Sequence, residues 1–232
     1  MPLYFLKYRE LKPLKDLFIL GMLVTFVGGS VARRLGEAVS SSGQVSVKNE
    51  AVSGGGLLRP NADGSRHCQP IDLMKYVNDD FVVIQVGGND FFSHSKSGKH
   101  ITTVRVFTDS RSRKHFTNAI HEFLTQFAGR AVFIIGLFPR YLHNCCEQHI
   151  LDEKTMTDIE KIPLYVNINI QGICNHFQTK VGKSVICIPP EKLHGLNHKD
   201  ALASDNLHLK PSANRLCAES LLSELKLQNT DF

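Results

Sequence analysis

Two nearly unbroken apolar runs constrain this chain more than any other feature. One is Phe81-Val82-Val83-Ile84-Gln85-Val86, the other Ala131-Val132-Phe133-Ile134-Ile135-Gly136-Leu137. A half-exposed strand alternates apolar and polar residues. A run without alternation, this short and this rich in β-branched residues, suits a strand covered on both faces. The segments 23–27, 44–49 and 184–188 complete a set of strand candidates.

Helical stretches separate them. We expect helices over 31–39, 70–77, 109–127, 155–179 and 211–227. The third shows apolar residues at Phe116, Ile120, Phe123, Leu124 and Phe127, a stripe at helical spacing. Pro163 within the fourth is expected to mark a break or a fresh helix start. Strands alternating with helices predict an α/β fold: a three-layer α/β/α sandwich on a five-stranded parallel sheet, flavodoxin-like in type. Ligands then bind beyond the carboxyl ends of the strands, so chemistry is to be sought in the loops that follow them.

At 232 residues, with 42% hydrophobic and 21% charged residues, the chain can bury a core without disulfide or metal staples. We expect an extension over 1–15 and one domain over 16–228. The six cysteines form no CxxC pair. That usage fits a reduced, intracellular and cytoplasmic protein. Residues 16–32 imitate a signal peptide: Lys7, Arg9, Lys12 and Lys15 precede an apolar run with a small-residue exit. A buried first strand is the preferred reading, with a secretory signal or anchor as the alternative. The run is too short for a transmembrane helix.

The net charge is +5, densest around Lys96, Lys99, His100, Arg105, Arg111, Arg113, Lys114 and His115. Nucleic acid is a conceivable partner for such a stretch. It lacks aromatic residues in register for base stacking, which weakens that reading.

Four loops carry residues suited to chemistry. The first strand runs into Gly28-Gly29-Ser30 and then a helix. Glycines permit a tight turn, and a helix start offers free N–H groups and a positive dipole. Ser30 is there either a nucleophile or a simple helix cap. The second strand leads to Ser53-Gly54-Gly55-Gly56, backbone that can approach a ligand or merely turn. The third leads to Gly87-Gly88-Asn89-Asp90, where the Asn89 amide is placed to donate to a developing oxyanion. Near the carboxyl terminus stands Asp205-Asn206-Leu207-His208-Leu209-Lys210-Pro211. An aspartate three residues before a histidine can fix its tautomer, leaving the other ring nitrogen to act as a base.

In this order, the four blocks resemble the SGNH (GDSL-like) hydrolase family. Gly87-Gly88-Asn89-Asp90 resembles its GxND block, Asp205-Asn206-Leu207-His208 its DxxH block, and Gly54 its glycine block. The resemblance implies a serine esterase acting on a small ester substrate. Ser30 would be the nucleophile, His208 the base and Asp205 its orienting partner. The N–H groups of Ser30 and Gly54 with the Asn89 side chain would form the oxyanion hole. No metal and no cofactor is implied. The family commonly carries aspartate before the nucleophile, where this chain has Gly29. A catalytically weak or silent module binding nucleic acid or protein is therefore the competing expectation. Gly136-Leu137-Phe138-Pro139-Arg140-Tyr141-Leu142, with Cys145, Cys146 and His149, further resembles SGNH domains of animal retroelements. His143, Cys145, Cys146 and His149 match no familiar zinc spacing, so we expect a loop with incidental thiols.

Overall fold

The structure is a computed structural model. It describes residues 22–58, 69–94, 101–104, 110–138, 153–193, 201, 203 and 208–229. Five strands form one parallel sheet: β1 (Leu23–Gly28), β2 (Ser46–Asn49), β3 (Phe81–Gln85), β4 (Ala131–Ile135) and β5 (Val185–Ile188). Their spatial order is β2-β1-β3-β4-β5. It reverses direction between β1 and β3, and that crevice is where doubly wound sheets hold ligands.

Among the described residues, four helices of three turns or more cover the sheet: α1 (Ser30–Ser41), α2 (Ser110–Gln126), α3 (Glu153–His176) and α4 (Pro211–Asn229). The sheet's pleat sorts them into two layers. Val82, Ile84, Val132 and Ile134 face a core built with Phe116, Ile120 and Phe123 of α2 and Ile162, Val166 and Ile170 of α3. Phe81, Val83, Phe133 and Ile135 face the opposite core, with Leu35 and Val39 of α1 and Leu221, Leu222 and Leu225 of α4. β3 and β4 are buried at every position, as their unbroken apolar runs require. The three-layer α/β/α sandwich and its five-stranded parallel sheet are as expected. Among the described residues, no helix is long and apolar enough to cross a membrane.

Two local expectations are corrected. Pro163 does not break its helix, which runs through it from Glu153 to His176. The proline forgoes one helical hydrogen bond. The stripe Ile162, Val166, Ile170 and Cys174 is fully packed on the core and offsets that loss. The helix expected over 70–77 is a single 3-10 turn, Leu73–Tyr76. Asp72 starts it by accepting from the Met74 N–H at 3.1 Å. Pro70 is instead drawn into a short parallel ladder, Gln69–Pro70 against Gly55–Gly56.

Lys183 shows how a lone charge is used structurally. Its ammonium donates to the Leu124, Thr125 and Phe127 carbonyls at 2.7, 2.8 and 2.8 Å. A cation there satisfies the open carbonyls at the end of α2 and complements its dipole.

Candidate active site

β1 ends at Gly28, whose φ of +148° is rare for any residue with a side chain. A β-carbon on Gly28 would stand 2.0 Å from the Gln85 carbonyl oxygen. Only glycine fits that approach of β1 to β3. The next residue, Gly29, caps α1 with extended backbone and no side-chain cap bond. Its N–H donates to the Gln85 carbonyl at 3.3 Å, and its own carbonyl accepts from Arg33 N–H at 3.1 Å. Main-chain bonds thus hold this turn. Ser30 is consequently the first residue of α1 and not its cap, so its hydroxyl is available for other work.

That hydroxyl meets His208. Ser30 Oγ lies 2.7 Å from His208 Nε2, across 178 residues of sequence. A second set of main-chain bonds carries the histidine. The His208 carbonyl accepts from Ala203 N–H at 2.7 Å, and Lys210 N–H donates to the Ala201 carbonyl at 2.8 Å. Pro211 then opens α4, a position that needs no N–H. Asn214 fastens the junction by donating to the Leu209 carbonyl at 3.2 Å.

The loops after β2 and β3 meet beside Ser30. Asn89 Nδ2 donates to the Gly55 carbonyl at 3.0 Å. An amide nitrogen carries two hydrogens, so one such bond orients the group and leaves a second donor. A β-carbon on Gly29 would lie 2.9 Å from Asn89 Nδ2, which places this amide against the Gly29–Ser30 turn. Ser30, Gly29, Gly55, Asn89, Leu137 and Phe138 line a cleft of about 30 Å³. Gly54 adopts φ +77° in the adjoining turn, and its carbonyl accepts from Gln69 N–H. The Gly55 N–H is engaged with the Val52 carbonyl at 3.0 Å. On this loop Gly55, not Gly54, lines the cleft, and its carbonyl steers Asn89.

Asp90 proves more than a turn residue. Its carboxylate is buried and accepts from Leu58 N–H at 2.7 Å and Gly87 N–H at 2.8 Å. It ties the glycine loop to the asparagine loop through charge-assisted bonds. The sequence signal was its place directly after Asn89, which also suits an ordinary Asn-Asp turn.

Asp205 lies outside the described residues. So do His143, Cys145, Cys146 and His149, residues 1–21, and the basic residues Lys96, Lys99, His100 and Arg105. The described cysteines Cys174, Cys187 and Cys217 are not joined in disulfides. Cys217 is wholly buried, and burial pushes its thiol up to about 12.

The profile of the GDSL-like lipase/acylhydrolase family matches residues 23–221. The chain belongs to that family. Structures sharing its fold include a carbohydrate esterase family 2 enzyme with a carbohydrate-binding domain from Corynascus thermopiles (Myceliophthora fergusii). That likeness has TM-score 0.60 and 15% identity, over 90% of this chain and 67% of the other. A family two carbohydrate esterase from Clostridium thermocellum, in complex with cellohexaose, gives 0.55 and 14%, over 90% and 65%. Est24, a carbohydrate acetylesterase from Sinorhizobium meliloti, gives 0.52 and 12%, over 88% and 98%. This chain spans about two thirds of the length of the first two. Identities this low speak for the fold alone. No curated protein matches in sequence.

Proposed function

We propose that this member of the family is a serine esterase removing acetyl or short acyl groups from carboxylic esters. The observation that carries the proposal is the 2.7 Å contact between Ser30 Oγ and His208 Nε2 at the carboxyl edge of the sheet. Ser30 Oγ attacks the ester carbonyl while His208 Nε2 takes its proton. The resulting oxyanion is met by the second Asn89 N–H and by the N–H groups of Ser30 and Gly54. As the first residue of α1, Ser30 has no helical carbonyl to serve, so its N–H is suited to this task. The C–O bond to the leaving alcohol then breaks, and His208 returns the proton to that alcohol. Water, deprotonated by His208, attacks the acyl-enzyme and releases the carboxylic acid and Ser30. Asp205 is proposed to orient His208. A cleft of about 30 Å³ favours a small acyl group.

The test is hydrolysis of p-nitrophenyl acetate by the wild type, Ser30→Ala and His208→Ala. We expect turnover in the wild type and its loss in both variants. Equal rates in all three contradict the proposal.

A second reading draws on the face of α2. Arg111, Lys114 and His115 border a wider groove of about 680 Å³ beside Leu57. With the net charge of +5, this face suits contact with nucleic acid, with Glu122 as an acidic group in the same groove. Binding of RNA or DNA that weakens steeply with salt supports it. No binding at low salt removes it.

A further inference from the structure

Asn167 lies on α3, remote in sequence from every block of the site. Asparagine is a poor residue for a helix interior, where its side chain competes for backbone groups. Here it has found such groups on another element. Its Oδ1 accepts from Leu137 N–H at 2.6 Å, and its Nδ2 donates to the Leu137 carbonyl at 2.9 Å. One side-chain amide thus pairs with both polar groups of a single backbone residue, as a neighbouring strand would.

The sheet explains why a surrogate is needed. Backbone groups along a strand point alternately to its two neighbours. Val132 N–H donates to the Ser184 carbonyl and Gly136 N–H to the Ile188 carbonyl, so the even positions of this segment face β5. Leu137 therefore faces the β3 side. There β3 has ended at Gln85, and the chain turns at Gly87 with φ +107° into the Asn89 loop. No strand remains to serve Leu137, and an unpaired buried backbone group is costly. α3 fills the gap from the preceding residue too: Val166 is fully buried, within 3.5 Å of where a Gly87 β-carbon would stand.

Leu137 and Phe138, with Val31 and Val86, supply the apolar lining of the cleft beside Ser30. We infer that Asn167 is a positioning residue that fixes the Leu137 wall of this lining and thereby sets acyl-chain selectivity. This inference rests on the esterase reading above. With the clamp intact, the wall stands close to Ser30 and admits only a small acyl group. Without it, the Leu137 backbone relaxes and longer chains enter.

The experiment compares the wild type with Asn167→Ala and Asn167→Asp. The first readout is hydrogen exchange at the Leu137 amide, which is independent of catalysis. The second is kcat and KM for p-nitrophenyl acetate, butyrate and octanoate. In Asn167→Ala we expect faster exchange at Leu137. We also expect the octanoate-to-acetate ratio of kcat/KM to rise about tenfold, chiefly through KM, since small displacements in a site change rates by such factors. Asn167→Asp keeps the acceptor for Leu137 N–H and loses the donor to its carbonyl. It should keep slow exchange and shift the ratio less, and it serves if the alanine variant fails to fold. Unchanged exchange in Asn167→Ala overturns the clamp. Faster exchange with an unchanged ratio, or an equal fall for all three esters, overturns the positioning role. A wild type without Ser30-dependent turnover defeats the esterase reading and the selectivity role with it, whatever the exchange shows.

Discussion

Two polar clusters flank the first strand, and they differ in what they leave over. One is the cluster of Ser30, His208 and Asn89 at the carboxyl end of β1. The other centres on Thr25, in the middle of the same strand and fully buried. Thr25 Oγ1 donates to Asp79 Oδ2 at 2.7 Å, and Lys48 Nζ reaches the same oxygen at 3.5 Å while lying over the Tyr76 ring. In that cluster donor, acceptor and cation meet one another, and Lys48 also reaches Glu50 at 4.0 Å. The Ser30 cluster holds its groups by main-chain bonds and by the Gly55 carbonyl, and Ser30 and Asn89 line a cleft. Buried polar groups in a fold are either spent on stability or held in reserve for a ligand.

Mutation should separate the two. The largest effects are expected at Ser30 and His208. Ser30→Ala and His208→Ala should each lower esterase kcat by at least about 10³-fold with little change in melting temperature. A variant that melts early but turns over normally would reverse the assignment. Next is Asn89→Ala, expected to cost about 10²–10³ in kcat with KM nearly unchanged, as for a donor used only in the transition state. An effect confined to KM would make Asn89 a substrate-binding group instead. Asp90→Asn should affect both stability and turnover. Losing a charged acceptor of two N–H groups should cost about 1–3 kcal/mol in urea unfolding and also lower kcat. A change in one alone would cut the proposed tie between the loops. Thr25→Val should cost about 1 kcal/mol of stability and leave kcat intact. Smallest of all, Cys217 should resist iodoacetamide at pH 8 in the folded protein, since burial holds its thiol at about 12, and react once urea unfolds the chain. Peptide mapping reads this directly.

The same contrast explains what could be read from sequence. β3 and β4 were legible because burial on both faces leaves a local mark, an unbroken apolar run. Ser30 and Asn89 could be singled out because they follow the buried strands β1 and β3, where a parallel sheet presents its loops, whereas Gly54 follows the partly exposed β2 and rested on its run of glycines. Ser30 alone suited a cap slightly better than a nucleophile, and the cap's assignment to Gly29 together with the His208 contact separates the two. Pro163 misled because the packing that keeps α3 intact comes from the other side of the core. Asp90 and Asn167 were hidden for a related reason. Each bonds backbone about thirty residues away, and no local pattern announces which backbone will lack a partner.

The proposal that Ser30 is an activated nucleophile can be tested without knowing the substrate. A fluorophosphonate probe reacts with a serine hydroxyl whose proton a neighbouring base can take, forming an O–P bond and expelling fluoride. The expected result is stoichiometric labelling of the wild type at a peptide containing Ser30, lost in Ser30→Ala and strongly slowed in His208→Ala. Wild-type protein that stays unlabelled, or labelling that persists in Ser30→Ala, would contradict it.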